Sequence, residues 1–149
     1  MAEFLKQFEI ASQRKNHLPA YLYEDQHITL GEVNNLANQI AHWLSATLKG
    51  DMPVVGVCAE ASLLTGPLLL GILKSGKVFM GLDPVYPCDR LRYMVEESNC
   101  ALVLTDGAVA PDQLGSARVF SLHMGVAEVP LCNGIQPLIT INTVAFSAR

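Results

Sequence analysis

The amino-acid sequence predicts a three-layer α/β domain, a mainly parallel sheet with flanking helices, on three observations. First, short and nearly continuous apolar runs recur at Val54–Ala59, Val78–Leu82 and Ala101–Leu104. Strands buried on both faces of a parallel sheet read this way, whereas half-exposed strands alternate. Second, helical patterns separate those runs, with short connections. A strand–helix–strand–helix–strand order over Pro53–Thr105 implies parallel strands joined by right-handed crossovers. Third, the 149 residues are 50% hydrophobic and 16% charged. That is the length of one domain with enough apolar surface to offset the chain entropy lost on folding.

Ahead of this unit, Phe4, Leu5, Phe8 and Ala11 suit one face of a helix over Ala2–Asn16. Ala20–Glu24 and His27–Thr29 read as two short extended pieces around a turn at Asp25-Gln26. The next helix marks its own start. Thr29 followed three residues later by Glu32 is a capping box, in which hydroxyl and carboxylate each take a free amide, and Ile28 with Val33 forms the accompanying staple. Val33, Leu36, Ala37, Ile40, Leu44 and Leu48 then recur at helical spacing, and Gly50 is expected to close the helix.

Within the alternating unit, Leu68–Leu73 fits a buried helix. Pro67 belongs in its first turn, where a proline does not clash with the preceding turn, with Thr65 as cap. Ser75-Gly76 ends it. A further helix is expected to begin at Pro87, a favoured first helical residue, and to turn Leu91, Met94 and Val95 inward. Asn99 suits a left-handed terminator, and Asp106-Gly107 stops the third strand. Beyond Gly107, Val119–Leu122 and Pro137–Val144 are the remaining strand candidates.

Composition also excludes classes of function. The formal net charge of -4 lacks the basic excess of a nucleic-acid groove. Charges among the first twenty residues interrupt any secretory signal, and Leu63–Leu73 has about half the ~20 residues of a membrane span. The expected compartment is therefore cytoplasmic. Cys58, Cys88, Cys100 and Cys132 contain no C-x-x-C pair and read as buried small hydrophobes. His17, His27, His42 and His123 are equally scattered, so no metal site is expected.

Motif searches return mostly absences. No G-x-G-x-x-G follows Val54–Ala59, which runs into Glu60-Ala61-Ser62 and so argues against a dinucleotide site. There is no G-x-x-x-x-G-K-[ST] loop to cradle phosphates and no G-x-S-x-G elbow. Glu96-Glu97 is read as a solvated pair at a helix end.

One long stretch stands out, Leu70–Met94. Its core, Lys74-Ser75-Gly76-Lys77-Val78-Phe79-Met80-Gly81-Leu82-Asp83-Pro84-Val85-Tyr86-Pro87-Cys88-Asp89-Arg90-Leu91-Arg92-Tyr93-Met94, resembles the K-A-G-x-x-Y-V-P-L-D-P-x-Y-P-x-x-R-L-x-Y-M signature of adenylate-forming (AMP-binding) enzymes. The adenylation domains of nonribosomal peptide synthetases are especially similar. Upstream, Ile28–Asn34 resembles the family's L-T-Y-x-E-L-N segment, and Asn35–Leu44 its next helix. The resemblance covers about Phe8–Asp106. It divides the chain into residues 1–106, part of an N-terminal subdomain of that fold, and 107–149, a divergent tail.

The resemblance implies an N-terminal portion of a ligase that activates a carboxylic acid, an amino acid by the nearest likeness, as an acyl-adenylate. The full-length family uses ATP and magnesium and often passes the acyl group to a carrier protein's phosphopantetheine thiol. It also places the nucleotide on a Ser/Thr/Gly-rich loop ending in lysine. Nothing over Gly107–Arg149 resembles that loop, and those residues include no lysine. A second departure is Gly81, which stands where the signature has proline.

No residue of this chain is therefore assigned as catalytic, cofactor-binding or metal-ligating. Arg90 and Tyr93, three apart on one helix face, either hold a phosphate or pin the helix to its neighbours, and the structural reading is simpler. The chain is expected to be a truncated adenylation domain that is inactive by itself. The competing reading is a catalytically silent α/β module that binds a protein partner, a homologous or carrier protein, or itself. A small nucleotide-binding protein is a third and weaker reading, for want of a glycine-rich loop.

Overall fold

The computed structural model describes residues 2–50, 53–105, 114–115, 117–124 and 144–148, with backbone alone at 121–124 and 144–148. The elements run α1 (Ala2–Arg14), β1 (Pro19–Tyr23), β2 (Gln26–Thr29), α2 (Leu30–Thr47), β3 (Val54–Cys58), α3 (Thr65–Lys74), β4 (Val78–Gly81), α4 (Cys88–Glu97), β5 (Leu102–Thr105), β6 (Arg118–Met124) and β7 (Val144–Ala148).

The antiparallel hairpin β1–β2 forms one small sheet, and the order β4-β3-β5-β6-β7 forms a five-stranded one. β4, β3, β5 and β6 are mutually parallel and β7 is antiparallel to β6. The sheet is mainly parallel, as the apolar runs predict. Residue parity along each strand then sorts the core into two halves. Val55, Leu102, Leu104 and Phe120 face one side and pack with α2 and α3. Cys58, Val103 and Val119 face the other and pack with Leu91 and Val95 of α4. Two helix layers around one sheet is the expected three-layer arrangement.

The helix termini carry most of the local differences from expectation. At α2 the Thr29 amide donates to Glu32 Oε2 at 2.8 Å and the Glu32 amide donates to Thr29 Oγ1 at 3.2 Å, so the capping box is complete. Ile28 and Val33, the staple pair, are both buried in one cluster. The helix ends at Thr47 rather than at Gly50. Leu48, drawn into the core by its apolar side chain, turns extended while its amide still donates to Leu44 O. Gly50 takes a left-handed φ of 107° in the connection beyond.

The hairpin turn sits at Glu24-Asp25, one residue earlier than expected, because Tyr23 pairs with Gln26 and Glu24 adopts φ 53°. Thr65 begins α3 instead of capping it: its hydroxyl accepts from the Ser62 amide while Leu64 occupies the cap position without a side-chain bond. Pro67 does lie in the first turn. Pro87 caps α4 from an extended conformation, and Asn99 takes φ 50° after that helix, as its type allows. The β6 strand includes Val119–Leu122; the other late candidate, Pro137–Val144, and the stop at Asp106-Gly107 lie outside the described residues, apart from Val144 itself.

Two further contacts fix the layers. The α2–α3 crossing is very close: a Cβ placed on Gly71 would lie 2.5 Å from Ile40 Cγ2 and 3.0 Å from the Ala37 carbonyl oxygen. Beside it, the Lys74 side chain is only 8% exposed, and its ammonium donates to Glu9, Asn34 and Asn38 at 2.9, 2.6 and 2.7 Å. A cation can be buried there because three oxygen acceptors replace its water shell. It ties α1, α2 and α3 together.

Candidate active-site cleft

In an open parallel sheet, ligands bind outside the carboxyl ends of the strands, near the point where the strand order reverses. Here the chain leaves β3 for β4 on one side, then crosses through α4 to β5 on the other. The reversal therefore lies at β3. A cleft of about 380 Å³ opens at the carboxyl ends of β3 and β4, with Leu64, Leu68, Phe79, Leu82 and Met94 among its walls.

The signature residues build one rim of this cleft. Asp83 ends the strand by an Asx turn, its Oδ1 accepting from the Val85 amide at 2.9 Å, and its carbonyl accepts from the Tyr86 amide at 3.0 Å. Pro87 then starts α4, its carbonyl accepting from the amides of Arg90 and Leu91. The Arg90 guanidinium lies 4.2 Å over the Tyr86 ring, a cation–π contact. Arg90 thus fastens the preceding turn to the helix. Arg90 and Tyr93 are both exposed, Tyr93 at 63%, so this contact ties the turn to the helix and not the helix to its neighbours.

The opposite rim is the connection from Ala59 to Thr65 and the start of α3. Several of its amides are already engaged: Thr65 donates to Ser62 O, Leu64 to Ser62 Oγ, and Gly66 to Tyr21 Oη at 3.2 Å. The Tyr21 hydroxyl in turn donates to the Leu63 carbonyl. Burial pushes the Tyr21 hydroxyl above its ordinary pKa, against the pull of the Gly66 amide. Among the described residues the cleft lining includes Glu60 and Asp83 but no lysine or arginine. A triphosphate needs cations, and the described lining supplies none.

Elsewhere, Cys88 is exposed rather than buried, because it is the first residue of α4 and precedes the inward face that starts at Leu91; Cys58 is buried and Cys100 half-buried. Burial raises the Cys100 thiol pKa. Cys132 lies outside the described residues. His17, His27 and His42 are not buried, the side chain of His123 is outside the described set, and Glu96 and Glu97 face solvent. Among the described residues no group of three His, Cys, Asp or Glu is placed to hold a metal ion. The buried Lys74 is a contact that sequence reasoning passed over. Its signal was a lone cation ending an apolar helix, opposite Asn34 and Asn38 spaced one turn apart.

The family profile described as AMP-binding enzyme matches residues 8–135. The chain belongs to the AMP-binding enzyme family. Among its relatives, tyrocidine synthase 2 of Brevibacillus parabrevis is 31% identical over 139 residues, 93% of the chain and 4% of the synthase. Bacitracin synthase 2 of Bacillus licheniformis is 38% identical over 104 residues, 68% of the chain and again 4% of the synthase. The fold is that of NpsA-ThdA, an artificially fused adenylation–PCP di-domain from Klebsiella oxytoca (TM-score 0.69, 18% identity, 78% of this chain and 22% of that one). The chain thus spans a small part of each of these proteins, and the part is the opening of an adenylation domain. Among the described residues no helix is long and apolar enough to cross a membrane.

Proposed function

We propose that this chain is scaffold from a ligase that activates a carboxylic acid, an amino acid, as its acyl-adenylate with ATP and magnesium. Residues 1–106 are the subdomain portion that carries this role, and 107–149 a divergent tail. The observation that carries the reading is the Asp83–Met94 signature, built as a strand stop, a turn and a helix that together rim the cleft. In that role the segment shapes the fold and supplies no catalytic group. The cleft supports this assignment, because its described lining carries acids and no cation. A carrier protein is the partner expected of the whole enzyme, because the structural neighbour NpsA-ThdA joins an adenylation unit to a PCP. The compartment proposed is the cytoplasm, where ATP is available.

Calorimetric titration of the 149-residue chain with ATP and magnesium tests the scaffold assignment. The expected result is heat of dilution only. A saturable, stoichiometric heat would overturn it, because the triphosphate would then have a site in this chain.

A further inference from the structure

We propose that β4 pairs with β4 of a second copy of this chain, antiparallel and about a two-fold axis that passes beside Met80. This seam is independent of the ligase reading. β4 ends the strand order, and among the described residues no strand lies beyond it. The Val78 and Leu82 amides donate to the Pro53 and Val57 carbonyls at 3.0 and 2.9 Å. Backbone polar groups alternate in direction along a strand, so the N–H and C=O of Phe79 and Gly81 turn outward, away from β3. Such a row is a template for another strand, and proteins commonly blunt it with proline, charge or a bulge. The resembled signature has proline at the position of Gly81, where it would remove an outward donor. Glycine restores that donor. Neither strain nor crowding demands glycine there: Gly81 lacks a left-handed φ, and a Cβ on it would meet Phe79 Cε1 at an ordinary 3.6 Å.

The occupant is a second copy because the edge is complementary to itself. With the two Met80 residues opposite one another, Phe79 of each copy faces Gly81 of the other, and each such pair exchanges both N–H···O bonds. A two-fold contact requires this reciprocity. The side chains agree with the backbone. Phe79 and Gly81 share one face of the strand, and an aromatic ring opposite a glycine covers the gap that the glycine leaves. In the same register Lys77 of each copy faces Asp83 of the other. Lys77 is half-buried and Asp83 exposed, and among the described residues neither forms an ion pair. Asp83 keeps its charge while Oδ1 accepts from the Val85 amide. Opposite charges at the two ends select the antiparallel register more than they add strength. A parallel pairing would set lysine against lysine and aspartate against aspartate, which is unfavourable.

The test follows the full 149-residue chain by sedimentation equilibrium and by amide hydrogen exchange over a range of concentrations. A monomer–dimer equilibrium is expected, with protection of the Phe79 and Gly81 amides rising as the dimer fills. Gly81→Pro, at an outward amide that the fold does not use, should weaken the dimer by about tenfold or more while the dilute chain melts near the wild-type temperature. Lys77→Glu sets an acid opposite Asp83 and should weaken it by about threefold or more. If Gly81→Pro fails to fold, Lys77→Glu decides alone. A chain that stays monomeric, or protection of Phe79 and Gly81 already complete in the monomer, would overturn the proposal. So would concentration-dependent protection confined to other elements, or association as strong as wild type in Gly81→Pro or Lys77→Glu.

Discussion

Thr29 and Glu32 exchange two hydrogen bonds at the start of α2, and removing the hydroxyl leaves the Glu32 amide without its acceptor. Thr29→Ala should lower unfolding free energy by about 1 kcal/mol, read from the urea midpoint at unchanged slope. Lys74 is a different case. Its Glu9 partner is 49% exposed and screened by solvent, so Glu9→Gln should cost little. Lys74→Met strands Asn34 and Asn38 and should cost about 2 kcal/mol. Hydrogen exchange should locate that loss first in α1 and its contact with α2. Tyr21 sets a pH dependence. Its folded pKa is raised by burial, with the Gly66 amide opposing. A raised pKa means the folded state keeps a proton that the unfolded chain has released. Stability is therefore complete below the unfolded value of about 10 and falls as pH rises through the folded one. The wild-type melting temperature should drop more steeply above about pH 10 than that of Tyr21→Phe; parallel pH curves would contradict this.

At the scale of elements, the α2–α3 crossing is the tightest contact that the glycines reveal. Gly71→Ala forces a methyl against Ile40 and the Ala37 carbonyl, and overpacking of this kind costs about 1–3 kcal/mol; a thermal melt equal to wild type would show that the helices can move apart. Such a contact is invisible in sequence, where Gly71 is one small residue in an apolar run. The elements themselves were legible because local chemistry marks them. Thr29/Glu32 starts α2, Ser75-Gly76 ends α3, and uninterrupted apolar runs make β3 and β5. Boundaries slipped where tertiary pull outweighed a local signal. Leu48 leaves the helix for the core ahead of Gly50, and Thr65 serves a loop amide instead of a helix end. The cleft was less legible, since Ser62, Leu68 and Phe79 converge only through the crossover. The Asp83–Met94 signature pointed to its rim without revealing that Arg90 would stack on Tyr86.

For the whole molecule, the exposed large side chains bear on solution behaviour. Val85 is 87% exposed, Leu22 72%, Tyr93 63% and Phe4 55%. Val85 and Tyr93 belong to the signature, and covering such groups is worth ~25 cal/mol per Å². The isolated chain should therefore self-associate, with a sedimentation coefficient that rises with concentration; one constant monomer value over a wide range would contradict this. The relatives extend far beyond the matched residues, and the central claim is that the opening of their adenylation domain supplies framework without phosphate chemistry. The most direct test is amino-acid-dependent ATP–pyrophosphate exchange by the 149-residue chain. Exchange at the no-enzyme background, for every amino acid offered, is the predicted result. Robust exchange with any one of them would contradict the account.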